Sequence, residues 1–352
     1  YKTTLQCEPM AIHRRQFLSY LATLAALSAL PRCARAAITS RIAAQFGVLP
    51  TPENIHRVIS AGPPTDQLLL ALVPEKLLGF SSLNLGKSSL FADKLRKLPH
   101  LGRLSGRGST LSLETLMALE PDIIIDSGNV DETYRSLAKR VSAQTDVPYV
   151  LIDGSLKDSP TQLRQTGALL GVAEKAETLA LIAEQYLSDA TLFASTLKIR
   201  PRFYLARGAK GLQTGSTGSI HTEAIELLGF ENVADIAGFT GLTDVSPEQL
   251  LMWNPEVIIT QDENAYQQIR QDSIWKNIQA VKNNKVLLFK GLPFGWLDGP
   301  PGINRLMGMR RLQSHFDHRI AEQATQDLQN YFACFYHTSL SAEQCQLLMR
   351  SS

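Results

Sequence analysis

Ser112-Leu113-Glu114-Thr115-Leu116-Met117-Ala118-Leu119-Glu120-Pro121-Asp122-Ile123-Ile124-Ile125 and Ser246-Pro247-Glu248-Gln249-Leu250-Leu251-Met252-Trp253-Asn254-Pro255-Glu256-Val257-Ile258-Ile259 align without a gap, at one offset of 134 positions. Each copy opens on a serine suited to cap a helix and reaches a proline that ends it. An acidic residue and an apolar run with the character of a buried parallel strand follow. A junction used twice predicts two lobes of related build.

Outward from the repeat, short apolar runs alternate with turns and helical patterns, the signature of βα units. Val58-Ile59, residues 77–80, 123–125 and 150–152 form a first set of predicted strands; residues 203–205, 257–259 and 286–289 form a second. Residues 159–197 carry no strand signal between them. From 173 to 197 apolar residues keep helical spacing with no internal Gly or Pro, which predicts one helix roughly 35 Å long. Such a strut couples lobes stiffly, where a Gly/Ser-rich linker would not. The expected fold class is α/β: two related lobes with mostly parallel sheets, bridged by one long rigid helix, with a ligand cleft between them. The expected boundaries are 45–158 for the first lobe, 159–198 for the bridge, 199–335 for the second lobe and 336–352 for a tail.

Arg14-Arg15-Gln16-Phe17-Leu18 precedes an apolar run to residue 30 and then Ala34-Arg35-Ala36. This order matches a cleaved signal peptide over residues 1–36, of the twin-arginine type, and the run is shorter than the roughly 20 apolar residues of a membrane span. Residues before Met10 read as an upstream extension. Removing 1–36 leaves 30 basic and 32 acidic side chains, a net charge of −2, so the formal +2 of the whole chain belongs to the signal. No basic block or low-complexity tract points to nucleic acid. Cys334 and Cys345 would be the only cysteines left, in an oxidising compartment, where a disulfide closing the tail is expected and two unpaired thiols are the alternative.

Further stretches carry a family resemblance. Arg57-Val58-Ile59-Ser60-Ala61-Gly62-Pro63, Leu98-Pro99-His100-Leu101-Gly102, the first repeat, Leu169-Leu170-Gly171 with Lys175-Ala176-Glu177, and the ending Gly295-Trp296-Leu297-Asp298-Gly299-Pro300-Pro301-Gly302-Ile303-Asn304-Arg305-Leu306 resemble the iron-chelate and vitamin B12 class of periplasmic binding proteins. The last stretch is similar to the subgroup of haem, iron-complex and molybdate receptors. The resemblance implies a monomeric periplasmic receptor, with no intrinsic cofactor, that delivers a metal species to an ABC permease. It also implies that Glu114 and Glu248 dock into arginine pockets on two permease subunits. A pseudo-symmetric carboxylate pair suits a two-fold symmetric partner, and each glutamate also suits the first turn of a helix.

Ligands in open α/β lobes sit outside the carboxyl ends of strands, which focuses the search on the loops there. Gly62-Pro63-Pro64-Thr65 opens a helix and offers backbone N–H groups to an anion, or is a tight turn. Ser127, Gly128 and Asn129 follow the repeat strand. Arg103 and Arg107 in a Gly-rich loop, and Arg207 after a second-lobe strand, suit a carboxylate or oxyanion, or are solvated surface groups. Ser216 and His221 stand near a helix start as ligand contacts or as cap and packing residues. Trp296 and Asp298 lie on a stiff loop where the indole either covers a chelate or packs; Arg305 reads as structural. No phosphate loop, zinc motif or nucleophile elbow occurs. The sequence therefore reads as the binding component of an ABC importer for an iron complex (siderophore, haem or citrate chelate) or similar metal species, and not as an enzyme. A molybdate or tungstate receptor of the same fold is one alternative; an exported cofactor-containing enzyme and a module reporting to a membrane sensor are others.

Overall fold

The computed structural model describes residues 41–350. The expected signal peptide and the last two residues of the tail lie outside that range. Strands are β1 (Ile42–Phe46), β2 (Val58–Ser60), β3 (Ile123–Gly128), β4 (Tyr149–Asp153), β5 (Arg202–Ala206), β6 (Gln213–Gly215), β7 (Glu231–Asn232), β8 (Leu242–Asp244), β9 (Val257–Thr260) and β10 (Val286–Leu288). The helices of six residues or more are α1 (Pro63–Leu72), α2 (Leu113–Ala118), α3 (Glu132–Thr145), α4 (Ser159–Leu169), α5 (Ala173–Thr196), α6 (Pro247–Trp253), α7 (Glu263–Gln271), α8 (Arg305–Ser314), α9 (His318–Phe335) and α10 (Ala342–Met349).

Two separate four-stranded sheets result, in the orders β1-β4-β3-β2 and β10-β9-β5-β7. Every pairing in the second is parallel, as are β2-β3 and β3-β4 in the first. The two repeat strands, β3 and β9, are thus interior strands of different sheets. Their residues 123–125 and 257–259 are at most 1 % exposed, as expected of strands covered on both faces.

Strand features depart from the sequence expectation in several places, the short β7 of the second sheet among them. Residues 77–80 form no strand: they bond to Val58 at one end and to residues 99–101 at the other, through isolated bridges, so no continuous ladder develops. β1 was not anticipated. It is an antiparallel edge strand on β4 with a register shift between Ile42 and Ala44, and its two alanines give little β signal. β6 and β8 add a small antiparallel ribbon.

The bridge is α5, 24 residues long, preceded by α4. A continuous apolar core runs from first-sheet residues such as Val58 and Ile125, through Leu179, Ala183 and Tyr186 of α5, to Phe203 and Ile259 of the second sheet. Ions fix the strut as well. Arg310 of α8 donates from Nη1 to Asp189 of α5 and from Nε to Asp327 of α9, each at 2.7 Å, and Arg319 Nη1 reaches Asp189 at 3.1 Å. A buried pair adds little net stability, because burial costs what attraction returns. It does penalise any slip that would leave one charge alone.

The C-terminal segment folds back on this frame. Phe332 and Tyr336 pack on Phe91, Tyr331 stacks near Tyr186, and Ser341 with Gln344 forms a capping box at the start of α10. The expected disulfide is absent. Cys334 and Cys345 are buried thiols on different helices, and Cys334 Sγ turns one helical turn back toward Asn330 Oδ1 at 3.7 Å, so packing rather than a bridge holds the tail.

Candidate functional site

Asp298 is the hub of the second lobe's strand-end loops. Its carboxylate is fully buried, with His221 Nδ1 at 2.7 Å from Oδ1 and Arg207 Nε at 2.6 Å from Oδ2. The latter is an ion-pair contact without hydrogen-bond alignment. Burial alone would push the Asp298 carboxyl up, but His221 and Arg207 outweigh it and hold the group below the usual carboxylate range. Arg207 also donates from Nη1 to Gln213 Oε1 at 2.6 Å. Its Nη2 donates to none of these partners, and the side chain stays 19 % exposed.

Arg207, Gln213, Gln261, Asp262, Lys290 and Phe294 are among the walls of a cavity of about 500 Å³ at the carboxyl ends of β5, β9 and β10. Gln261 shapes it by spanning the next loop, accepting from Leu297 N at 2.7 Å and donating to Asp298 O at 2.8 Å. Gly295 closes that loop: a Cβ there would fall 1.5 Å from Asp298 O, so only glycine permits the turn. Among the described residues no group of three or more His, Cys, Asp or Glu is arranged to hold a metal ion.

The first lobe contributes differently. Thr65 is wholly buried and its Oγ1 accepts from Ser127 N at 2.7 Å. The expected N–H donors of α1 do not materialise: its first two residues are prolines, which have no N–H, and Thr65 N already bonds Gly62 O at 3.0 Å. Ser127 and Pro64 line a narrow crevice with Gly154, Gln162, Gly302 and Arg305; Gly128 packs beneath Pro64, and Asn129 is exposed beyond it. Under β3, the Asp126 carboxyl is buried against Tyr149 Oη and Ser105 Oγ at 2.8 and 2.9 Å. Burial raises its pKa to about 6.

Arg305 joins the lobes at this crevice. Its buried guanidinium donates to Gly154 O, Ile220 O and Gly302 O and pairs with Glu223 at 3.0 Å. Glu223 accepts in turn from Ser155 Oγ, Leu156 N and Lys157 N. The structural reading of Arg305 therefore holds, with a role the sequence did not indicate.

Several anticipated contacts are committed elsewhere. Ser216 is fully buried and closes its own loop, donating to Phe239 O and accepting from Gly241 N. Trp296 is 1 % exposed, with Nε1 donating to Lys290 O, so its face is unavailable to a ligand. α8 packs directly on its backbone, since a Cβ on Gly308 would lie 2.1 Å from Trp296 O. Arg103 folds onto Gly108 O and Arg107 O within its own loop, and Arg107 is exposed. The structure thus brings Arg207, His221 and Asp298 together and leaves Arg103, Arg107, Ser216 and Trp296 out. Lys290 and Gln261 escaped the sequence reading although Gln261 directly follows β9 and Lys290 lies two residues past β10, where the strand-end rule pointed.

Glu114 and Glu248 are exposed in the first turns of α2 and α6. One turn further on, the equivalent positions Met117 and Leu251 are also exposed, at 46 % and 41 %.

Two related lobes, a rigid helical strut and a strand-end cavity define a bridged-lobe solute-binding fold. The chain belongs to the Periplasmic binding protein family, whose signature it matches over residues 58–291. It is 26 % identical over 316 residues to a molybdate-binding protein of Haemophilus influenzae, covering 82 % of this chain and 88 % of that one. It is 25 % identical over 230 residues to a vitamin B12-binding protein of Salmonella typhimurium, covering 64 % and 79 %. An ABC transporter solute-binding protein from Sulfurospirillum deleyianum superposes with a TM-score of 0.77 at 28 % identity, covering 86 % and 95 %.

Proposed function

We propose that the protein is exported to the periplasm, captures a small anionic metal species at the Arg207 cavity and hands it to an ABC permease that docks on Glu114 and Glu248. The observation that carries the ligand class is the divided guanidinium of Arg207. Its Nε side is held by buried Asp298, which leaves Nη2 oriented and unclaimed at the edge of the cavity. A pre-positioned, permanently charged donor favours a carboxylate or oxyanion.

A volume of about 500 Å³ lies in the range of sites that enclose drug-sized molecules, which favours a carboxylate-bearing iron chelate. Burial of Trp296 leaves the expected indole unavailable to a planar haem, which weighs further toward a non-planar chelate. A second reading, molybdate or tungstate, is favoured by the similarity to a molybdate-binding protein over most of the chain. Permease docking is supported by two exposed carboxylates at equivalent places in two related lobes.

Calorimetric titration with ferric citrate and with molybdate tests both parts. Saturable binding of one, weakened roughly tenfold or more by Arg207→Gln, is expected, since a charge-assisted contact contributes about 1.5–3 kcal/mol. Unchanged affinity in that variant would remove the cavity from the account. A Glu114→Ala/Glu248→Ala protein should bind as wild type yet support no uptake in cells; normal uptake would remove the docking pair.

A further inference from the structure

The cavity walls cancel their own formal charges. Arg207 and Lys290 face Asp262 and Asp298, and Lys290 is drawn further toward Glu263 at 2.9 Å. Net attraction for an anion therefore needs a charge behind the wall.

Arg311 of α8 is such a charge. It is 0 % exposed, with its guanidinium between the ring of Phe289, 4.3 Å away, and that of Trp296, 4.4 Å away. Nη2 donates to Arg350 O at 3.2 Å, while Nε and Nη1 have no hydrogen-bond partner and no carboxylate pairs with the group among the described residues. A buried arginine ordinarily has an acidic partner. Two aromatic faces stabilise a cation without neutralising it. His315, on the same Phe289 ring at 5.5 Å, adds no charge at neutral pH: burial and Arg311 lower its pKa to about 4. Burial also lowers the pKa of Arg311, to about 9, which leaves it protonated at pH 7.

Phe289 itself lines the cavity, and Trp296 lies in the loop whose Gly295, Asp298 and Gly299 complete it. We infer that Arg311 is a specificity-determining residue. It acts from behind the Phe289 wall as a positive charge with no acidic partner among the described residues, and makes the cavity select anions. An apolar wall screens poorly, so the field of an unpaired charge carries through it where the same charge in water would fade. The inference rests on the anionic-ligand reading above.

The test compares Arg311→Lys, which keeps the charge at a mildly acidic pH of about 6 where a buried lysine is still protonated, with Arg311→Met, which keeps length and removes it, by titration with ferric citrate and with molybdate at that pH and at low and high salt. The Met variant should bind roughly tenfold more weakly with a flatter salt dependence, and the Lys variant should stay near wild type. Arg311→Gln gives a second uncharged protein should the Met variant not fold. Wild-type affinity in an uncharged variant, with Arg207→Gln still impaired, would overturn this inference and leave the ligand reading standing. Equal losses in the Lys and Met variants would also overturn it, assigning Arg311 to packing alone. If wild type bound neither probe, both would fall.

Discussion

The two copies of the repeat agree at one end and part at the other. At the start, Ser112 and Ser246 each cap the third residue beyond, Leu116 and Leu250 are both fully buried, and Glu120 and Asn254 both take the left-handed conformation at φ 44°. Asp122 and Glu256 each accept from the backbone that opens the neighbouring strand, at Arg57 and Arg202. Past the strand the likeness ends. The first copy leads to buried Asp126 with Tyr149 and Ser105; the second leads to Thr260 and then Gln261, which shapes the cavity. The amino ends of these strands carry what every such lobe needs to fold, whereas the carboxyl ends differ, one leading into a buried carboxyl and the other into a cavity wall.

The largest expected effect is shared. Leu116→Ala and Leu250→Ala should each destabilise the protein by about 2–5 kcal/mol, the range for a fully buried leucine, measured by chemical denaturation. A large loss in one copy and a negligible loss in the other would break the equivalence. The next effect is confined to the first copy. Asp126 has its folded pKa raised to about 6 by burial, so between the unfolded value near 4 and that point the unfolded state releases its proton first. Stability from this group therefore falls as pH rises from about 4 to 6, by up to about 3 kcal/mol. Asp126→Asn should flatten that slope and gain relative to wild type at pH 7 but not at pH 4; an unchanged slope would show that Asp126 is not its source. The smallest effect is again shared: Ser112→Ala and Ser246→Ala should each cost about 1 kcal/mol in the same denaturation experiment. Unequal costs would show that one cap is supported by its surroundings.

Legibility followed the range of the forces involved. The bridge was readable because 24 residues of helical periodicity without Gly or Pro leave no other regular structure. The irregular edge at residues 77–80 misled, since β propensity says nothing about whether a neighbouring strand is present to pair with. At the site, Arg207, His221 and Asp298 could be named singly from their places after strands or at turns. That they form one hub could not, because His221 and Asp298 are 77 positions apart in the chain. Trp296 and Ser216 stay open between cleft and core in the sequence for the converse reason: an aromatic or a hydroxyl on a loop has the same sequence whether it faces a cleft or the core.

The repeat, the caps, the proline breaks and the strut are therefore properties of the sequence itself, since each arises from neighbours within a turn or two of backbone. Which charges are paired was decided only by the tertiary structure. Asp298 lies against both Arg207 and His221, and Arg311 has no acidic partner among the described residues, because burial and distance, not position in the chain, set the electrostatic partner of each group.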